Sequence, residues 1–289
     1  MLIFRAVARA GTISGAAREL GWTQPAVSQH LRALERSAGC TLLLRGAGGI
    51  ELTEPGKMLL ARADAMAVQL HMADEELADL TALRRGRVRL AAYPSAAATL
   101  VPRAMAGLRA RHPDIDVDLT EAEPPEALSM LLAGDVDLAL VFSYDADPVD
   151  TPGMRWTPLA EEPVALVVAT DHPAAGRKRL TLSHLADEPW IVGCARCREH
   201  TLHLCAEAGF EPRVRHVSDD YVVVQNLVAV GLGVTLLPRS ALEAYQHPEV
   251  TSREHRSFGI RSYGIVHREG AELVPATSAL VRELSARRQ

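Results

Sequence analysis

Between Cys194 and Cys205, three thiols (Cys194, Cys197, Cys205) and two imidazoles (His200, His203) fall within twelve positions. Such groups are zinc ligands, and the Cys-x-x-Cys spacing of Cys194 and Cys197 is also a redox spacing. A zinc site usually draws its ligands from two separated pairs, so this run suits a metal poorly. A helix beginning near Arg198 gives a plainer reading, with Leu202 and Cys205 buried as small apolar packing. If Cys194 or Cys197 is exposed, Arg196 and Arg198 would favour its thiolate. Elsewhere there is no Gly-x-Ser-x-Gly elbow, phosphate-binding P-loop or His-Glu-x-x-His helix. Gly231-x-Gly233 is short of a dinucleotide fingerprint and precedes a strand. The acid pairs Asp135/Asp137 and Asp219/Asp220 read as caps or loop solvation. No catalytic set emerges, and no enzyme, cofactor or metal is expected.

A second concentration of polar chemistry lies near the N-terminus. Two short helical patterns meet at Gly21-Trp22, one with Ala16, Ala17 and Leu20 on a face, the other with Ala26, Val27, Leu31 and Leu34. A glycine-bearing turn between two such helices makes a helix-turn-helix, whose second helix fits the DNA major groove. Thr23 suits the N-cap of that helix and Pro25 its first turn. Gln24, Ser28, Gln29 and Arg32 then form a polar face able to reach base edges or phosphates. The alternative is an ordinary α-hairpin with a solvated face.

Charge divides the same way. Residues 1–62 carry eight basic and four acidic side chains, a surplus of four, within a chain of net charge −5. The rest holds 23 basic and 32 acidic residues, a deficit of nine. A basic head on an acidic body is expected when one domain touches phosphate and the other does not. At 289 residues and 48% hydrophobic content, the chain can hold two or three domains with real cores. No apolar run is long enough for a membrane helix and no secretory pattern precedes the first helix, so a cytoplasmic protein without membrane association is expected. The abrupt start at Met1-Leu2-Ile3-Phe4 predicts a start codon upstream.

The elements that position these groups follow from periodicity. Thr53 caps a helix from about Pro55 to Leu83, roughly 40 Å long, on which Leu59, Ala63, Met66, Leu70, Ala73, Leu77 and Leu80 form an a/d seam. Such a length needs a partner, either a second chain or the body of the same one. Arg84-Arg85-Gly86-Arg87 ends it. From Val88 onward strands alternate with helices: strand Val88–Tyr93, helix Ala97–Arg111, strand Ile115–Leu119, helix Pro125–Ala133, strand Val136–Phe142. A second series has strands Val164–Ala169, Trp190–Val192 and Arg213–Val217, helix Tyr221–Val230, and a strand reaching Pro238. Repeated β-α units predict parallel-rich sheets in two lobes, with binding at the carboxyl ends of the strands.

The run Ala16-Ala17…Leu20…Gln24-Pro-Ala-Val-Ser28…Leu34-Glu35 resembles the N-terminal signature of LysR-type transcriptional regulators. Leu42–Arg45, Gly46–Gly49 and Ile50–Gly56 resemble that family's β-wing leading into its linker helix. Family wings often carry a second cation where this chain has Ala47, Gly48 or Gly49, which leaves Arg45 as the wing's phosphate contact. In the body, Leu132–Leu140 and Val228–Pro238 look like two family motifs, so the resemblance spans essentially the whole chain. It implies an α/β protein with an N-terminal winged helix-turn-helix domain (1–56), a linker helix (57–86) and a two-lobed effector domain (87–289) like periplasmic binding proteins. Lobe I would take about 87–160 and 266–289, lobe II about 161–265. It further implies promoter DNA as partner, antiparallel linker pairing into a homodimer, and a homotetramer through the effector domains.

Carried over by position, the resemblance places DNA contacts at Thr23, Gln24, Pro25, Ser28, Gln29, Arg32 and Arg45. It places a small-molecule effector against Tyr93, Ser95, Phe142, Ser143, Cys194, Arg196, Ser218 and Asp219. Arg196 would suit an anionic ligand through its bidentate fork, or else lie solvated. The family's peroxide-sensing branch has its cysteine pair in this region, with Cys205 at a comparable point and Arg196 where its first cysteine would fall. The alternative to an effector switch is thus a redox- or metal-responsive regulator using Cys194, Cys197 and Cys205.

Overall fold

The computed structural model describes residues 1–46, 49–80, 86–144, 152–177 and 179–286, with the backbone alone at Arg45 and residues 75–80. The chain divides into two compact units, Met1–Leu83 with Leu132–Asp135, and the remainder.

In the N-terminal unit, α1 (Leu2–Ala10), α2 (Ile13–Glu19) and α3 (Gln24–Ala38) precede a hairpin of β1 (Leu43–Gly46) and β2 (Gly49–Leu52), then α4 (Glu54–Leu80). Phe4, Val7, Ala16, Ala17, Val27, Leu31 and Leu42 form the core. Ala16 and Ala17 lack bulk, so α2 can approach α3 closely. Gly21 makes the turn between them at φ 66°, a left-handed conformation that costs a residue with a Cβ. Thr53 caps α4, its Oγ1 accepting from the Gly56 amide at 3.1 Å. Along α4, Ala63 is buried, whereas Met66 and Leu70 are about half exposed (48% and 49%). The seam positions Leu77 and Leu80, the wing residues Ala47 and Gly48, and the cations Arg84 and Arg85 lie outside the described side chains.

The second unit holds β3 (Gly86–Ala92), α5 (Pro94–Ala98), α6 (Leu100–Arg111), β4 (Ile115–Glu121), α7 (Pro124–Ala133), β5 (Leu138–Ser143) and the long β6 (Met154–Ala169). It continues with β7 (Pro189–Val192), α8 (Ala195–Glu207), β8 (Arg213–Val217), α9 (Tyr221–Ala229), β9 (Thr235–Pro238), α10 (Arg239–Ala244), β10 (Val250–Glu254), β11 (Ile260–Arg268) and α11 (Pro275–Ser285).

Two expectations are corrected here. The single helix over 97–111 is two helices broken at Thr99. Pro102 lacks an N–H for the carbonyl four residues back, so it belongs in the first turn of a helix that restarts at Leu100. The sheets are mixed, not mainly parallel: β3 pairs in parallel with β4 and β5, and β7 with β8, but β6 and β11 pair antiparallel with their neighbours. Strand β6 pairs first with β11 and then with β9 and β10, so it carries the chain from the first lobe into the second. Strand β11 brings it back, with Ser262–His267 already paired to β5, four residues ahead of the expected boundary at 266.

Each lobe has its own core. Val88, Leu90, Leu138, Leu140, Val101, Leu108 and Leu280 pack in the first. Val164, Leu166, Leu182, Trp190, Cys205 and Phe258 pack in the second.

Candidate functional site

On α3 the exposed face carries Gln24, Pro25, Gln29 and Arg32, with Thr23 exposed just before it. Thr23 has the extended backbone of an N-cap, but its side chain makes no capping bond. Ser28 departs from expectation. It is 7% exposed, because its place one turn from Leu31 and beside Val27 turns it inward instead of outward. Trp22 is half exposed and packs on His30 at 5.2 Å, fixing the turn against α3. Arg45 lies in β1 opposite Ile50, its side chain outside the described atoms.

In the second unit a cavity of about 50 Å³ lies where β3, β5, β9 and β11 meet the starts of α5, α8 and α9. Six of the expected residues line it: Tyr93, Ser95, Phe142, Cys194, Ser218 and Asp219. Ser143 and Arg196 do not. Ser143 follows Phe142 in a strand whose side chains alternate, so it points to the other face. Arg196 donates from Nη1 to the Phe142 carbonyl at 3.3 Å and is not among the residues that line the cavity.

The centre of the site is a pair that no local sequence pattern marks. Arg261 of β11 stands opposite Glu162 of β6 where the two strands cross between lobes. It is 2% exposed. Its Nε donates to Glu162 Oε1 at 2.7 Å, and its Nη2 donates to Ser95 Oγ at 2.7 Å and Ser240 Oγ at 3.1 Å. Glu162 Oε2 also accepts the Ser240 amide at 2.7 Å. The guanidinium lies 4.9 Å from the Tyr93 ring centre and 4.4 Å from that of Phe142, a desolvated cation–π arrangement. One bridge thus ties α5, β6, β11 and the start of α10 together. Burial raises the Tyr93 phenol well above its ordinary value, so it stays protonated.

The thiols are placed by an early helix start. Helix α8 begins at Ala195 with Cys194 as N-cap, three residues ahead of the expected Arg198. Cys194 and Cys197 therefore both sit at its first turn and line the cavity. Cys205 faces the other way, fully buried in the second-lobe core with Thr201, its thiol pushed up to about 12 by burial. His203 is exposed beside Glu207 at 3.4 Å, and His200 stacks on Tyr144 with ring centres 3.8 Å apart. The five-residue cluster is therefore dispersed. Among the described residues, no group of three or more His, Cys, Asp or Glu side chains could hold a metal ion. Glu123, just before α7, also lines the cavity. Its Oε2 is buried with no hydrogen-bond partner among the described residues, and burial raises its pKa, aided by Asp219 and opposed by the Cys194 hydrogen bond.

A helix-turn-helix with an exposed polar recognition face, joined to a two-lobed binding domain with a small cavity at its strand ends, defines a ligand-responsive DNA-binding regulator. Residues 1–57 match the family of bacterial regulatory helix-turn-helix proteins of the lysR type, and residues 81–289 match the LysR substrate binding domain. The chain belongs to the LysR family of transcriptional regulators. It is 35% identical over 238 residues to the small neutral protease regulatory protein of Streptomyces coelicolor (79% of this chain, 73% of that protein). It is 32% identical over 242 residues to a probable hydrogen peroxide-inducible genes activator of Mycobacterium avium (83% and 76%). In fold it is similar to a full-length OxyR variant from Pseudomonas aeruginosa, with TM-score 0.74 at 20% identity over 98% of this chain and 93% of that one. Among the described residues no helix is long and apolar enough to cross a membrane.

Proposed function

We propose that this regulator reads double-stranded promoter DNA through α3, and that a small molecule in the cavity between the lobes sets its affinity or footprint. The exposed face of α3 carries the first half of this reading. Gln24 and Gln29 supply bidentate amides for base edges, while Arg32 and Arg45 supply cations for phosphate. For the second half, the cavity is walled by strand ends from both lobes, where ligands of such folds bind. Its lining cation, Arg261, is already paired with Glu162, and Glu123 and Asp219 bring further carboxylates. A ligand with donors to offer fits this lining better than an anion.

The protein works in the cytoplasm as a homodimer paired along α4, and two dimers join through effector domains into a homotetramer. The half-exposed Met66 and Leu70 on the α4 seam support the pairing, since so long a helix face gains by burial against a second copy. The test is a mobility-shift assay with the full chain on DNA flanking its own gene, with and without extracts of small metabolites. Binding that shifts with a small molecule left chemically unchanged supports the reading. A molecule consumed during the assay would point to an enzyme instead.

A further inference from the structure

Two carboxylates wall the cavity from opposite lobes without a countercharge. Glu123 follows β4 in the first lobe and Asp219 follows β8 in the second, each just past the carboxyl end of its strand, and both line the cavity. Glu123 Oε2 is buried with no hydrogen-bond partner among the described residues, an arrangement that is costly for a carboxylate unless something supplies a donor. Burial, in the first place, raises the Glu123 pKa; the Cys194 hydrogen bond opposes it, and the Asp219 charge adds to it. The two carboxylates therefore feel each other across the cavity. Among the described residues neither is in a salt bridge, and the lining guanidinium, Arg261, is already taken by Glu162 at 2.7 Å.

This lining narrows what can fill it. A metal ion is a poor occupant, since no three His, Cys, Asp or Glu side chains among the described residues are placed to hold one. An anion meets two carboxylates, and the first amides of α9 are not free for it: those of Val222 and Val223 donate to Asp220 Oδ1 at 2.8 and 3.3 Å. A neutral molecule would leave Glu123 and Asp219 uncompensated. An ammonium group brings one positive charge and three donors, for the Glu123 oxygen, the Asp219 carboxylate and the Ser218 hydroxyl on the same lining. The Tyr221 ring, also on the lining, is a further surface that a cation favours.

We propose that the cavity takes a small primary ammonium ion, held between Glu123 of the first lobe and Asp219 of the second. The inference rests on the reading of this cavity as the effector site, and it names the chemical class of that effector. Size follows from volume. At about 50 Å³, and roughly 10–15 Å³ for each water, the cavity has room for about three to five non-hydrogen atoms, so a short unbranched amine fits. Without the cation, repulsion keeps the carboxylates apart or leaves a proton on Glu123. With it, one charge compensates both and draws the two strand ends together. The ligand thus favours one arrangement of the lobes over another, as a switch requires.

Propylammonium is the test compound, against 1-propanol and propionate, which are close to it in size, all at equal ionic strength. Binding to the full-length protein is read by ligand-observed NMR without DNA, over the roughly millimolar range that so small a molecule reaches. The expected result is that propylammonium binds and that the other two bind about tenfold more weakly or worse. Glu123→Gln and Asp219→Asn should each weaken the ammonium by about tenfold, with melting curves to show that both variants fold. Asp219 is exposed, so its variant keeps the test in hand even if Glu123→Gln folds poorly. Propionate or propanol bound as tightly as propylammonium, no ammonium binding in that range, or ammonium affinity unchanged in a folded variant would overturn the proposal. A mobility-shift arm separates this inference from the reading beneath it. If the ammonium binds as expected but leaves operator affinity and footprint unchanged, the ligand class stands and the effector reading falls. If propionate binds in its place and shifts the operator, the effector reading stands and the ligand class falls.

Discussion

The Arg261–Glu162 bridge sets a quantitative test of the effector domain. Both side chains are nearly buried, at 2% and 8% exposure. Glu162→Leu removes the partner of Arg261 Nε and the acceptor of the Ser240 amide and hydroxyl. The guanidinium would keep Ser95, Ser240 and two aromatic faces but no countercharge. Stranding one member of a buried pair costs about 3–5 kcal/mol. For a domain of this size each kcal/mol lowers Tm by about 2–4 °C, so the drop should be about 6–20 °C. Arg261→Met alone should cost a similar amount, by leaving Glu162 buried and uncompensated. The double variant should recover much of the loss, since apolar residues of similar volume often replace a buried pair at little cost. Urea unfolding of the four proteins, fitted as a double-mutant cycle, measures this coupling. Additive losses, or less than about 1 kcal/mol for Glu162→Leu, would refute the bridge as the tie between the lobes.

Three other outcomes are expected. Gln29→Ala should relax sequence preference by about 1–3 kcal/mol at one base position of each half-site, measured by binding to a panel of singly substituted operators, whereas Arg32→Ala should weaken all sites alike and lower the salt slope by about one. Leu70→Asp puts an unpaired charge into the α4 seam, so sedimentation should show smaller species and operator affinity should fall; an unchanged oligomer would rule out linker pairing. Burial raises Glu123 above the ordinary 4.5, so the folded state holds its proton more tightly than the unfolded chain. Stability should therefore decline as pH rises from about 4.5 through the folded value, and Glu123→Gln, compared with wild type by melting at each pH, should lack that decline.

Local pattern carried most of what could be read from the chain. The helix-turn-helix is specified by small and apolar residues three and four apart, by Gly21 and by Pro25, all within one segment, and the hairpin wing and the α4 cap are equally local. The side on which Ser28 lies is not set by pattern, because it stands at the edge of the α3 stripe, where a shift of a few tens of degrees decides between groove and core. Arg261 and Glu162 are 99 positions apart and meet through the antiparallel register of β6 and β11. Nothing near either residue announces this, apart from an arginine second in β11 and two acids before Pro163. The start of α8 is hidden in the sequence because cysteine is not among the usual capping residues. That three-residue difference moves Cys194 and Cys197 from a loop to a helix N-terminus.

The central claim is that the contents of the cavity govern DNA binding by α3. The most direct measurement is operator affinity and footprint of the full chain carrying Ser218→Phe, a wedge at the cavity wall, against wild type. Both proteins should first be shown to melt as folded species. Coupling of the usual size, about 1–3 kcal/mol, gives a 5- to 150-fold change in affinity or a footprint of altered length. A folded wedge variant that binds the same operator with unchanged affinity and unchanged footprint would contradict it.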